Sequence, residues 1–224
     1  MCGRFELNVT PAALEAEFGS LVPEAPWEAL APISRYNIAP SQPCLVLRYG
    51  KREGRNVAEM LLWGFRPQWA NRSWINARDD KLFETAAFRE SARRRRCLIP
   101  ATGWYEWQAV PGERRKRPYY IRYDRPFAFA GVWTARRLGE NDDWELTFAI
   151  VTTAARGAVA AVHDRMPLVL APASYAAWLD PATEHPETLL RPVEAQPDEL
   201  YPVSTYVNDP QNEGPECIAR AASE

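Results

Sequence analysis

The sequence predicts a single α+β domain dominated by sheet, and three observations carry that prediction. Segments rich in aromatic and β-branched residues recur from Phe5 to Ser204, separated by turn residues. Helix signals occupy only short stretches, and no internal repeat or low-complexity linker divides the chain. Its 224 residues, 46% of them hydrophobic and 25% charged, suffice to bury a sizeable core.

In chain order, Phe5–Val9 alternates as a strand does. Thr10 and Pro11 then open a helix over Pro11–Phe18, because Thr caps and Pro suits the first helical position. Residues 19–33, rich in Pro and Ala, read as a connection. Cys44–Tyr49 and Asn56–Phe65 read as strands joined by a hairpin turn near Gly54. Trp69–Arg78 has no clear period and reads as a loop, the class of segment that carries function disproportionately. Asp80–Glu84 and Ala86–Arg94 suggest short helices. Strands are expected at Gly103–Ala109, Tyr119–Tyr123, Phe127–Thr134, Trp144–Thr153 and Met166–Leu170. A helix over Pro172–Leu179 and a last strand over Glu199–Ser204 precede a tail that reads as irregular from about residue 205.

Composition narrows the function. A net charge of -2 excludes a polycation, so a nucleic-acid partner needs a local basic patch. The four cysteines, Cys2, Cys44, Cys97 and Cys217, are widely separated, and the chain has only two histidines. No metal site and no cofactor are therefore expected, and the thiols are expected to be free in a reducing cytoplasm. Arg4, Glu6 and Asn8 interrupt any apolar leader, and no apolar run approaches a membrane span.

Chemistry is concentrated in a few places. If Met1 is removed, Cys2 carries an α-amine and a thiol on adjacent carbons. An α-amine titrates near 8, so about a tenth of it is uncharged at neutral pH, against well under a thousandth of a lysine. An aldehyde can form a Schiff base there, and the thiol can close a five-membered thiazolidine at high effective concentration. On the strand Trp104-Tyr105-Glu106-Trp107, Glu106 shares a face with Trp104. Desolvation by aromatics would raise its pKa and suit it to proton transfer, although the pattern by itself favours a surface glutamate. His163, before Asp164 and Arg165, is either a proton-transfer group or a turn histidine bonded to Asp164 or to backbone. Asn76 can bond a sugar or a reacting terminus, and Arg78 a phosphate; loop closure competes for both. Trp69 and Trp74, interleaved with Arg66, Arg72 and Arg78, suit single-strand stacking or core packing. The basic run Arg114–Arg117 reads as a solvated face.

These stretches, taken in order, resemble the SOS-response-associated peptidase (SRAP) family, also called abasic-site processing proteins. The matching segments are Met1–Phe5, Tyr36–Pro40, Trp63–Phe65, Ile75–Arg78, Arg95–Pro100, Gly103–Trp107, His163–Pro167 and Val203–Pro215. The resemblance implies a curved, barrel-like, mostly antiparallel sheet with short peripheral helices, spanning the whole chain. It implies a monomer in the cytoplasm, associated with the nucleoid when bound to DNA. The implied partner is single-stranded DNA containing an abasic site, crosslinked through Cys2. By the same resemblance Asn76 orients the Cys2 terminus, Glu106 carries protons and His163 assists the Schiff-base step. Arg4, Trp69, Trp74, Arg78 and Arg165 would hold the DNA, with Asn37 and Pro40 lining the pocket. Autopeptidase activity exposing Cys2 and an abasic-site lyase activity are also implied. Two positions depart from the family pattern: Trp104 replaces a common Phe, and Asp79-Asp80 replaces a small residue followed by Glu. An N-terminal-nucleophile amidotransferase also begins Met-Cys-Gly, and a reversible single-strand binding module is the non-enzymatic alternative.

Overall fold

The computed structural model describes residues 2–29, 35–139 and 143–221. Met1, whose removal the N-terminal chemistry requires, lies outside the described residues, as do residues 30–33 of the expected connection. Among the described residues ten strands form one sheet: β1 (Phe5–Leu7), β2 (Arg35–Ile38), β3 (Pro43–Gly50), β4 (Arg55–Trp63), β5 (Asn76–Arg78), β6 (Arg96–Gln108), β7 (Arg117–Arg137), β8 (Trp144–Ala154), β9 (Arg165–Pro167) and β10 (Glu199–Pro202). The pairings run β6–β7–β8–β4–β3 and back to β6, so the sheet curves into a ring. Pairing is antiparallel except where β4 and β5 run parallel to β8. The helices are short: α1 (Pro11–Phe18), α2 (Arg89–Arg94) and α3 (Tyr175–Leu179). Helix α1 starts as its sequence dictates, with Thr10 Oγ1 accepting the Ala13 amide at 3.3 Å.

The two longest strands differ most from the sequence expectation. Asp124-Arg125-Pro126 reads as a break, yet β7 runs through it for 21 residues. The register against β6 jumps from Ala101↔Phe127 to Gly103↔Arg122, so the residues between form a bulge. Turn-forming residues here bend a strand without reversing it, which is how a sheet is curved into a ring. The loop expected over Trp69–Arg78 ends in β5, because residues 76–78 find a parallel partner in β8. The helix expected over Asp80–Glu84 is a 3-10 turn at Asp79–Lys81.

Inside the ring Phe5 packs edge-on against Trp63 and Phe129, and Trp104 against Phe127 and Phe129. Each such buried ring contributes roughly 2–3 kcal/mol. Trp104 itself is completely buried, and its indole N–H has no partner among the described residues. A Phe at that position would avoid this. On the opposite face of β6, Tyr105 joins Tyr120, Tyr201, Val203, Val207 and Cys217 in a second cluster. Tyr120 crosses over Gly103, where an added Cβ would stand 2.5 Å from its ring, and donates its hydroxyl to the buried Glu6 carboxylate.

The tail that reads as irregular is docked onto this second cluster. It forms 3-10 turns at Thr205–Asn208 and Pro215–Cys217. Val203 N donates to Pro118 O, and Ala221 N to Pro202 O, each at 3.0 Å. The fold thereby brings residues near 205–212 beside the chain's beginning.

Candidate active site

Strand β1 sets the site by pairing with β6. Phe5 lies opposite Trp104 and Glu6 opposite Gly103, and the Tyr105 amide donates to Arg4 O at 3.0 Å. Continuing this antiparallel register carries the residues before Arg4 toward Glu106. Cys2 is completely buried, and its Sγ lies 3.9 Å from Arg4 O. Burial, aided by the negative charge of Glu106, holds the thiol well above its ordinary pKa. Glu106 is only 1% exposed, so the surface-glutamate reading is overturned. Its face of β6 is the Trp104 face, and that face is the ring interior. Burial pushes its pKa up to about 7, and the charge of Asp164 acts in the same direction.

Asn76 is the first residue of β5, opposite Ile150 of β8. The Trp63 indole donates to the neighbouring Ile75 O at 2.8 Å, and Phe5 packs on Trp63, which ties β5 to β1. Both atoms of the Asn76 amide are buried, and neither has a partner among the described residues. Leaving such a group unbonded costs about 1–3 kcal/mol.

His163 follows the 3-10 turn Gly157–Ala161, its amide donating to Val159 O at 3.0 Å. Its Nδ1 lies 2.8 Å from Asp164 Oδ1 and 3.0 Å from the Arg165 amide nitrogen. The turn reading describes this nitrogen, so proton transfer by His163 would use Nε2. Burial lowers its pKa, while Asp164 opposes the shift. Gln108 donates to Ala161 O at 2.7 Å and so couples the end of β6 to the His163 segment.

The residues expected to hold DNA divide into two groups. Trp69 is 65% exposed, beside the half-buried Trp74 with ring centroids 6.2 Å apart. Arg72 lies over Trp74 at 4.8 Å, while Trp74 also packs edge-on against Phe88. Trp69 is therefore the exposed ring of the pair, and Trp74 the packed one beneath it. Arg78 is exposed and gripped by Asp80 through two bonds of 2.9 and 2.8 Å, so the shorter carboxylate still braces it. Pro40 is half-exposed in a turn where Gln42 N donates to Ala39 O at 3.3 Å, with Ser41 at φ 67° in the left-handed region.

Asn37, Arg4 and Arg165 also bond within the protein. Asn37 is fully buried: its Oδ1 accepts from Arg4 Nη1 at 2.7 Å, and its Nδ2 faces the carbonyls of Val207, Asp209 and Asn212. Arg4 also donates to Val207 O at 2.7 Å and Asn208 O at 3.3 Å, and lies over Trp107 at 5.8 Å. Arg165 joins Asp79 at 3.0 Å and the carbonyl and hydroxyl of Thr152.

Three residues escaped the sequence reading. Trp107 donates to Asn208 Oδ1 at 2.7 Å, Gln108 positions the His163 segment, and the charge of Lys116 acts on both Glu106 and His163. The basic run containing Lys116 was a visible signal. The other two contacts join distant segments and leave no local trace.

The chain matches a family model described as SOS response associated peptidase (SRAP) over residues 1–210. It is 33% identical to abasic site processing protein YoqW of Bacillus subtilis (strain 168), covering 97% of this chain and 99% of that protein. Against abasic site processing protein YedK of Escherichia coli (strain K12) identity is 31%, again with 97% and 99% covered. A crystal structure of a protein from Bacteroides thetaiotaomicron shares the fold with a TM-score of 0.80 at 22% identity, covering 99% of this chain and 100% of that one. Arrangement, motif order and sequence similarity agree: this chain belongs to the SRAP family.

Proposed function

We propose that the protein processes abasic sites in single-stranded DNA, capturing the open-chain sugar aldehyde on Cys2 as a thiazolidine. YoqW and YedK are named abasic site processing proteins, and the activity is extended to this chain on that similarity. The observation that carries the mechanism is the burial of Cys2 with Glu106, whose pKa of about 7 lets it both give and take a proton near neutrality.

With Met1 gone, Glu106 relays protons as the sugar ring opens. The Cys2 amine attacks the aldehyde carbon, Glu106 protonates the resulting hydroxyl, and water leaves the imine. The thiol then adds to the imine carbon, with its proton passing to the ionised Glu106 carboxylate. One water is released overall. The raised thiol pKa keeps sulfur protonated until that step. The unbonded Asn76 amide supplies two donors and an acceptor to hold the amine and the sugar oxygen. His163, with a lowered pKa, assists formation of the imine. The same imine is the starting point for β-elimination, so a lyase activity competes with ring closure. Autoproteolytic release of Met1 belongs to the same proposal.

Incubation with a single strand carrying one abasic site should give a heat-stable adduct whose mass is the sum of the components less one water. Cys2→Ala should abolish it, as should a tag that blocks removal of Met1. A stable adduct of equal yield from Cys2→Ala would overturn the mechanism. Reversible binding alone would favour the binding module, and ammonia release from glutamine the amidotransferase.

A further inference from the structure

We infer that the tip of the β6–β7 hairpin, Arg114-Arg115-Lys116, forms with Ser204 and Thr205 a phosphate-binding arm that holds the DNA backbone beside the captured abasic residue. The inference rests on the capture reading for its choice of ligand, and on the geometry of the hairpin for its location.

The register places the arm. Glu106 pairs with Tyr119, Trp107 with Pro118 and Gln108 with Arg117, so the last paired residue at the base of the tip lies two residues beyond Glu106. At about 3.3 Å per residue that is roughly 7 Å along the strand. Gln108, at the base of the tip, is also the residue that bonds Ala161 O and so reaches the His163 segment. The positive charge of Lys116 acts on Glu106 and on His163 alike, which independently places it at this end of the site.

The chemistry of the arm suits a phosphodiester. Arg117 is neutralised by Glu113 at 2.9 Å, but Arg114, Arg115 and Lys116 are exposed and carry no ion pair among the described residues. Three adjacent cations without an ion pair among the described residues repel one another, which an anion would relieve. Between the tip and the tail lies a cleft of about 360 Å³, lined by Glu113, Arg115, Lys116 and Arg117 on one side and by Ser204 and Thr205 on the other. Arg114 adjoins this lining in sequence, and Glu113 is paired to Arg117. Cations facing hydroxyl-bearing residues across a cleft form a site for phosphate oxygens. Nothing in the cleft offers an aromatic face for a base, so it would hold backbone without regard to sequence. The platform at Trp69 stacks bases; this arm would grip phosphates.

The test uses a labelled single strand containing a tetrahydrofuran abasic analogue, which has no aldehyde and binds without covalent capture. Affinity is measured by fluorescence anisotropy across roughly 50–200 mM salt, because each phosphate contact on a single strand adds about 0.7 to the slope of log K against log salt. The variant Arg114→Ser/Arg115→Ser/Lys116→Ser should bind more weakly with a slope shallower by about 2, while its unfolding midpoint matches wild type. Glu113→Gln, which removes a carboxylate from the cleft and one ion pair of Arg117, should steepen the slope by up to about 0.7. An unchanged slope and affinity in the triple variant would overturn the arm, as would a Glu113→Gln variant whose slope becomes shallower. If wild type forms no adduct with aldehyde-bearing DNA, the capture reading fails while the slope comparison still decides the arm.

Discussion

Trp107 and Asn208 meet across 2.7 Å, the indole N–H donating to the Asn208 side-chain oxygen. The bond links strand β6, one residue beyond Glu106, to the docked tail. Arg4 and Asn37 bond the same tail turn through Val207 O. If capture takes place beside Glu106, attachment of the tail should affect reactivity.

Asn37→Ala tests that attachment. It removes the acceptor of Arg4 Nη1 and the donor facing three tail carbonyls, all of them buried or partly buried. A loss of about 2–4 kcal/mol in urea unfolding is expected, since several partners are left unbonded. Asn208→Ala, at a more exposed site, should cost about 1 kcal/mol or less. Loss of crosslinking in Asn208→Ala with stability retained would show that the tail positions Arg4 and Trp107.

Glu106→Gln should separate stability from activity through pH. The folded pKa, about 7, lies above the unfolded value of about 4.3, so the folded state holds the proton more tightly. Stability is therefore full below pH 4 and falls as pH rises toward 7. At pH 8 the deficit reaches about 3–4 kcal/mol, and the uncharged Gln escapes it. Thermal unfolding of Glu106→Gln should match wild type near pH 4 and exceed it at pH 8, while crosslinking slows. A variant less stable than wild type at pH 8 would contradict the burial account.

Asn76→Ala should leave unfolding free energy within about 1 kcal/mol of wild type, because the amide it removes makes no bond among the described residues. Crosslinking should fall by at least about tenfold, from loss of an interaction formed only with the substrate. Equal losses of stability and rate would make Asn76 a structural residue.

Trp69→Ala should weaken single-strand binding by about 1–3 kcal/mol with little effect on stability, as befits an exposed stacking ring. Trp74→Ala should lower both, because Trp74 supports Trp69 and packs on Phe88. Paired anisotropy and denaturation curves distinguish the two roles.

Much of this was legible before the fold. Helix α1 follows from Thr10-Pro11, and the ordered motifs led to the family. Residues whose role is set by their own chemistry, Cys2 above all, were visible individually. The bonding of Asn37 to the tail was not visible, for a reason that is equally physical. An asparagine in a short strand has several ordinary uses, and the carbonyls that engage its Nδ2 lie about 170 residues away.

Local sequence determined helix α1 and most of the strand positions, since propensity, capping and alternation act over a few residues. Strand β5 and the unbroken β7 needed their partners in the sheet. Alternation placed Glu106 beside Trp104 on one face of β6 but could not say which face is dry. Ring closure decided that, by pairing β6 with both β3 and β7 and enclosing the Trp104 face. The same closure made Asp124-Arg125-Pro126 a bulge and brought Arg4, Asn37 and Trp107 against the tail. Burial and long-range hydrogen bonding belong to the assembled chain, and it is burial that pushes the Glu106 pKa up to about 7.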